Sequence, residues 1–152
     1  MMDPAREAAV WARVRGEQLQ APTASPWSAE TAAALYQAEA AAAYTYQRLA
    51  GRCRGSLRRS LLGLAQEAAA QRRSLEAVVY LLQGTRPPQP RQEPCGGLAA
   101  ALRDAFQREA SGAEEAFALA PQAGIHGETI CRLGKSREAR ARTLFCLVRS
   151  VL

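Results

Sequence analysis

The sequence predicts an all-α fold, an antiparallel bundle of four long helices. Three observations carry that prediction. Apolar residues recur in sustained steps of three and four along four separate stretches, the spacing of one buried face of a helix. The composition is rich in alanine and only 6% aromatic, which favours close-packed helices over a β-sandwich. The chain also repeats itself: EAAAAYTYQRLA from Glu39 aligns with EASGAEEAFALA from Glu109, and LAQEAAAQRRSL from Leu64 aligns with LGKSREARARTL from Leu133. Each half is then one helix pair, and the pairs are expected to pack about a pseudo-twofold axis.

The 152 residues are one domain's worth, with 48% hydrophobic and 22% charged residues, an ordinary globular balance. Residues 1–27 read as a short amphipathic helix, about 3–16, and a linker over 17–26. Pro4 lies in the helix's first turn and Gly16 just after its end. Residues 28–152 read as the bundle, in helix pairs at about 28–84 and 98–152. Ser28 is a good N-cap for a first long helix that runs to about Arg52. A second covers about Leu57 to Leu82, with Gly84 placed to stop it. The segment 85–97 holds four of the eight prolines and is expected to cross over between helices two and three as extended chain. A third helix covers about Leu98 to Ala120, PQAGIHG is a loop, and a fourth runs from about Glu128 to the C-terminus.

The stripes are Ala32, Leu35, Glu39, Ala42, Tyr46 and Leu49 on the first helix, and Leu57, Leu61, Leu64, Ala68, Gln71, Leu75, Val78 and Leu82 on the second. The third has Leu98, Leu102, Ala105, Glu109, Gly112, Ala116 and Leu119. The fourth has Ile130, Leu133, Arg137, Arg140, Leu144, Leu147 and Val151. Glu39, Gln71, Glu109, Arg137 and Arg140 break the pattern midway. A lone charge facing a bundle axis is expensive, so charges there are paired or bind metal.

With these residues in place, the chain resembles the rubrerythrin-like branch of the ferritin-like superfamily. The first helix matches that family's Glu, the Tyr seven residues later and the small-residue ending. LAQEAAAQRRSLEAVVYLLQG is similar to the family's second helix, and VWARV looks like the leading helix of small bacterial members. The resemblance implies a ferritin-like bundle whose di-iron site takes a Glu from each of helices one and three and a Glu-x-x-His pair from each of helices two and four. At those positions this chain has Glu39 and Glu109, then Ala68 and Gln71, then Arg137 and Arg140. Glu67 and Glu138 each lie one residue off, about 100° around the helix. A guanidinium neither ligates metal nor deprotonates. The expected replacement is a network in which Arg137 and Arg140 take the cationic place of two metals, pair with Glu39 and Glu109, and are bridged by Gln71.

The function expected is that of a non-catalytic ferritin-like protein with a binding or structural role. No cofactor is expected, and the partner is a protein or further copies of the chain. One alternative is a redox or metal-handling protein with iron or manganese on an atypical site using Glu39 and Glu109. Another is a basic bundle associated with nucleic acid, since the net charge is +6. Lys135 is the only lysine; the remaining positive charge is arginine. Arg52, Arg54, Arg58 and Arg59 cluster at the first helix turn as a candidate anion site beside Arg48 and the helix C-terminus. Tyr44 and Tyr46 read as core packing or as a radical path. No apolar run reaches the ~18 residues of a membrane span, and no secretory signal is read at the N-terminus, so a cytoplasmic protein is expected. Cys53, Cys95, Cys131 and Cys146 form no CxxC pair, and with His126 alone a zinc site is poorly supported. Reduced thiols are expected, with Cys146 in the core.

Overall fold

The computed structural model describes residues 27–152, together with Pro4. The expected helix at 3–16 and linker at 17–26 lie outside the described residues. Among the described residues the chain is four long helices, two 3₁₀ turns and no strand: α1 (Ala29–Ala50), α2 (Gly55–Gln83), α3 (Leu98–Leu119), 3₁₀ turns at Ala120–Gln122 and Gly124–His126, and α4 (Gly127–Val151).

The helix ends fall close to where the sequence places them. Ser28 holds an extended backbone, and its hydroxyl accepts the Thr31 N–H at 3.2 Å, which caps α1. Glu30 in the first turn and Arg48 in the last complement the helix dipole. α2 stops at Gly84, whose φ of 78° is left-handed and whose N–H returns to the Tyr80 carbonyl. Only glycine adopts that geometry without strain.

α1 packs along α2 and α3 along α4 as two hairpins, with a further contact between α2 and α4. The apolar core lies in two layers, each drawing on all four helices. One gathers Leu35 and Tyr36 of α1, Leu75 and Val79 of α2, Leu119 of α3, and Ile130 and Leu133 of α4. The other gathers Tyr46 and Leu49 of α1, Leu61, Leu64 and Ala68 of α2, Leu102 and Ala105 of α3, and Leu144 of α4. A fully buried leucine contributes about 1.5–3 kcal/mol relative to an exposed one, so these layers supply the main drive to fold. Between them in sequence, on α1, α3 and α4, come Glu39, Glu109, Arg137 and Arg140, all buried.

Residues 84–97 form neither helix nor strand and lie against α1. Gln37 Nε2 donates to the Pro88 carbonyl, and Gln89 Nε2 donates to the Tyr36 hydroxyl. Further on, Arg52 clamps the carbonyls of Cys95 and Gly96. No helix of the described residues is long and apolar enough to cross a membrane.

The stripe fades toward the helix ends: Leu57, Leu98, Leu147 and Val151 are half-buried and Leu82 is exposed. Ala43 rather than Ala42 is fully buried on α1. Cys146 corrects the sequence reading. It is exposed, because it follows the Leu144 stripe position by two residues and so faces away from the axis. Cys53, in the α1–α2 connection, is the buried thiol.

Candidate functional site

The mid-bundle charges come from three helices. Glu39 stands on α1, Glu109 on α3, and Arg137 and Arg140 are one turn apart on α4, so both guanidiniums leave the same face. All four are at most 4% exposed.

Glu39 is saturated by arginine. Its Oε2 accepts from Arg137 Nε at 2.9 Å and its Oε1 from Arg140 Nη2 at 2.5 Å. The Arg140 guanidinium reaches across to α3, where Nη1 stands 2.9 Å from Glu109 Oε2. That second approach is an ion pair without hydrogen-bond alignment, and Arg140 Nη1 and Nε have no hydrogen-bond acceptor. The same Glu109 oxygen takes the Tyr46 hydroxyl at 2.5 Å. Arg137 finds its second acceptor in the Gly112 carbonyl at 2.9 Å, and its Nη1 lies 3.9 Å from Glu115 at the surface. Two carboxylates and two guanidiniums sum to zero formal charge, the condition under which a buried ionic group is tolerable.

Gly112 makes room for this arrangement. A Cβ there would stand 2.9 Å from Arg137 Nη1 and 3.1 Å from its Cδ. The electrostatics are uneven between the two carboxylates. Burial pushes the Glu109 carboxyl above the usual carboxylate range and the Glu39 charge adds to this; Arg140, Tyr46 and Arg137 oppose it. Burial, then Glu109, drives the Tyr46 phenol upward, so it stays protonated and donates.

Four of the six positions singled out in the sequence therefore meet in one network. Ala68 is fully buried in the neighbouring apolar layer. Gln71 is half-buried and makes no hydrogen bond to the network. The expected glutamine bridge does not form, and it is Tyr46 that donates to Glu109. Glu67 and Glu138 point elsewhere, as their register requires: Glu67 accepts from Ser136, and Glu138 pairs with Arg142 at 3.5 Å. The Gly112 carbonyl had no signal in the sequence, since any residue supplies one. Tyr46 had a signal, its place seven residues after Glu39 on the same stripe.

The candidate anion cluster is divided. Arg52 holds two carbonyls and Arg58 Nη1 reaches the Ala50 carbonyl at 3.3 Å, closing the end of α1. Arg54 and Arg59 are exposed. Tyr44 takes the Arg48 guanidinium on its hydroxyl. His126 lies in the α3–α4 connection, its ring centroid 6.5 Å from that of Trp27.

A cavity of about 580 Å³ lies between α1 and α3 against residues 91–96, and it reaches Glu39, Glu109 and Arg137. Its walls combine small side chains with charged ones, Arg108 and Asp104 among them.

A di-iron centre of the kind the resemblance implies needs roughly four carboxylates and two imidazoles. This layer offers two carboxylates with three of their four oxygens engaged within the protein and no imidazole. Among the described residues no group of three His, Cys, Asp or Glu side chains is placed to hold a metal ion. The donors do not fit that centre. Comparison of the chain with protein-family models, with curated proteins and with solved structures finds no match.

Proposed function

We propose that this chain is a non-catalytic ferritin-like protein with a binding or structural role, and that Arg137 and Arg140 stand where metal cations stand in the di-iron proteins it resembles. The observation that carries the reading is the single guanidinium of Arg140 placed between Glu39 and Glu109. A cation bridging two glutamates from helices one and three is the charge pattern of a di-iron centre, supplied here by an arginine that cannot leave, exchange or change oxidation state. Acid–base chemistry at Glu39 has equally little to work with, since that carboxylate is held by two permanent cations.

The same reading makes the segment 84–97 the lengthwise crossover of a ferritin-like bundle. Its contacts in order along α1 support this, from Tyr36 and Gln37 at one end to Arg52 at the other. It also makes the cavity between α1 and α3 the surface at which a ligand or partner segment meets the polar layer.

The test is metal content per chain after anaerobic exposure to Fe(II) or Mn(II) and desalting. The proposal expects essentially none retained, in the native protein and in Glu39→Gln and Glu109→Gln variants alike. One or two ions retained by the native protein and lost on Glu39→Gln would overturn it, and would restore the reading of a metal-handling site on Glu39 and Glu109.

A further inference from the structure

The polar layer divides the bundle into two halves of different charge. One half holds the end of α1, the start of α2, the start of α3 and the end of α4, brought together by the apolar layer of Tyr46, Leu49, Leu61, Leu102 and Leu144. The chain before α3 runs to the same end, where Arg52 clamps it. Among the described residues this half, 40–67, 90–108 and 141–152, carries ten arginines outside the polar layer, every one exposed. Against them stand three acids, Glu67, Glu93 and Asp104. The other half carries five basic residues and six acids outside the layer. The net charge of +6 is therefore not spread over the surface. One half is strongly cationic and the other close to neutral.

Little within the chain answers this charge. Among the described residues Arg142 alone of the ten has an ion pair, with Glu138. Arg48 meets the Tyr44 hydroxyl, and Arg52 and Arg58 hold backbone carbonyls, contacts that neutralise nothing. Arg54 and Arg59, at the start of α2, make neither a hydrogen bond nor an ion pair among the described residues. Like charges gathered in this way repel one another and oppose the compact state. A polyanion laid against them reverses that cost.

We propose that the arginine-rich end of the bundle binds the phosphate backbone of duplex nucleic acid, without reading its sequence, and that Arg54 and Arg59 are among its contacts. Arginine supplies all of the charge in this half, and its planar fork bonds phosphate oxygens bidentately. Apolar groups point to the other end. Of the seven large exposed hydrophobic side chains, Tyr80, Leu81, Leu82, Phe117 and Ile125 stand in the near-neutral half. The cationic half keeps Phe145 and Leu152, little to sink into a bilayer or to form the apolar centre of a protein interface. Stacking on the bases of a single strand needs open aromatic faces. The exposed aromatic ring here is Phe145, and Arg149 lies over it at 5.8 Å. Contact is thus left to guanidinium and phosphate, which position a protein on a duplex but carry no sequence information. This inference is independent of the metal-free reading.

Fluorescence anisotropy of the full chain with two labelled DNA duplexes of unrelated sequence tests it. At ~50 mM salt both should bind with a Kd below ~100 µM and within ~3-fold of each other, and log affinity should fall linearly with log salt. Arg54→Glu with Arg59→Glu should weaken binding at least ~10-fold and make the salt slope shallower by about 2. Arg73→Glu with Lys135→Glu makes the same change in net charge in the other half, also at exposed positions, and should weaken binding less than ~3-fold. Circular dichroism shows that each variant keeps its helices, and the milder pair Arg54→Gln with Arg59→Gln should fall between the native and the reversed chain. Equal losses in the two reversed chains would mean that overall charge and not this end binds, and would overturn the proposal. So would a duplex Kd weaker than ~100 µM, or a preference above ~10-fold for one duplex. Displacement of the duplex by phosphatidylserine vesicles at equal phosphate concentration would overturn it in favour of a membrane surface.

Discussion

Arg140 and Glu39, 101 residues apart in sequence, meet at 2.5 Å with both side chains all but excluded from solvent. The contact ties the last helix to the first through the middle of the core. Its counterpart on the surface is Arg132 with Glu128, also at 2.5 Å but largely exposed. Equal distance does not mean equal coupling, because water screens the second pair and not the first. Arg140→Met should cost about 3–5 kcal/mol, since it leaves the buried Glu109 without the guanidinium beside it and Glu39 with Arg137 alone. A double-mutant cycle between Arg140→Met and Glu39→Gln should give a coupling well above that of Arg132 with Glu128, for which about 0.5 kcal/mol or less is expected. The cycle with Glu109→Gln should fall between them, because Arg140 reaches Glu109 without hydrogen-bond alignment. Urea unfolding of the three cycles checks the order.

The layer as a whole should be dispensable for stability. Its ionic groups have lost their hydration, and Arg140 Nε is buried without an acceptor, so its net contribution is small even though each member depends on the others. The quadruple change Glu39→Leu, Glu109→Leu, Arg137→Met and Arg140→Met should be at least as stable as the native chain. Any one of these changes alone should destabilise it. Chemical unfolding that found the quadruple variant worse than every single would show the network itself to be a net stabiliser.

These residues also show how far the sequence could be read. Glu39, Glu109, Arg137 and Arg140 stood out because a stripe of apolar residues makes a charge conspicuous, and their mutual pairing followed from charge balance. Which atoms pair did not follow. Gln71 has the same place in the stripe as Arg140 has in the second half, yet it joins nothing, because a stripe position fixes direction and not reach. The outward place of Cys146 is hidden for a related reason: the apolar run LFCLV looks uniformly buried, while Leu144 is fully buried, Leu147 and Val148 pack partly against the core, and Phe145 and Cys146 face out. Gly112 sat in the stripe as an apparent gap, and its role became visible only when Arg137 was found in the space.

Gly112→Ala should be unusually harmful for a helix-interior change that ordinarily improves helix propensity by ~1 kcal/mol. The added methyl meets Arg137 at its Nη1, Cδ and Cζ, and that side chain cannot swing away without releasing Glu39 and the Gly112 carbonyl. Overpacking of this kind costs about 1–3 kcal/mol. The penalty should vanish in an Arg137→Met background, where the obstructing guanidinium is gone. Thermal melting of the four combinations measures it.

Glu109 gives the protein a pH dependence of its own. Its carboxyl is raised in the folded state above the ordinary 4.5, chiefly by burial. Between those two values the native chain holds a proton that the unfolded chain has released, so stability falls as pH rises through the window. The contribution is fully present below about pH 4.5 and is lost once the pH passes the native value. Glu109→Gln removes the titration, and its stability should run flatter than the native profile on the alkaline side of 4.5. Tyr46→Phe should act in the opposite sense. The phenol donates to the charged carboxylate and so favours ionisation; without it the native pKa climbs and the decline extends to higher pH. The lost hydrogen bond adds about 1–3 kcal/mol of destabilisation wherever Glu109 is ionised and its carboxylate is left short of a donor. In the Glu109→Gln background Tyr46→Phe should no longer shift the profile at all. Urea midpoints collected from pH 4 to 8 for the native chain, the two singles and the double separate these outcomes, and parallel profiles for all four would show that Glu109 does not titrate in this range.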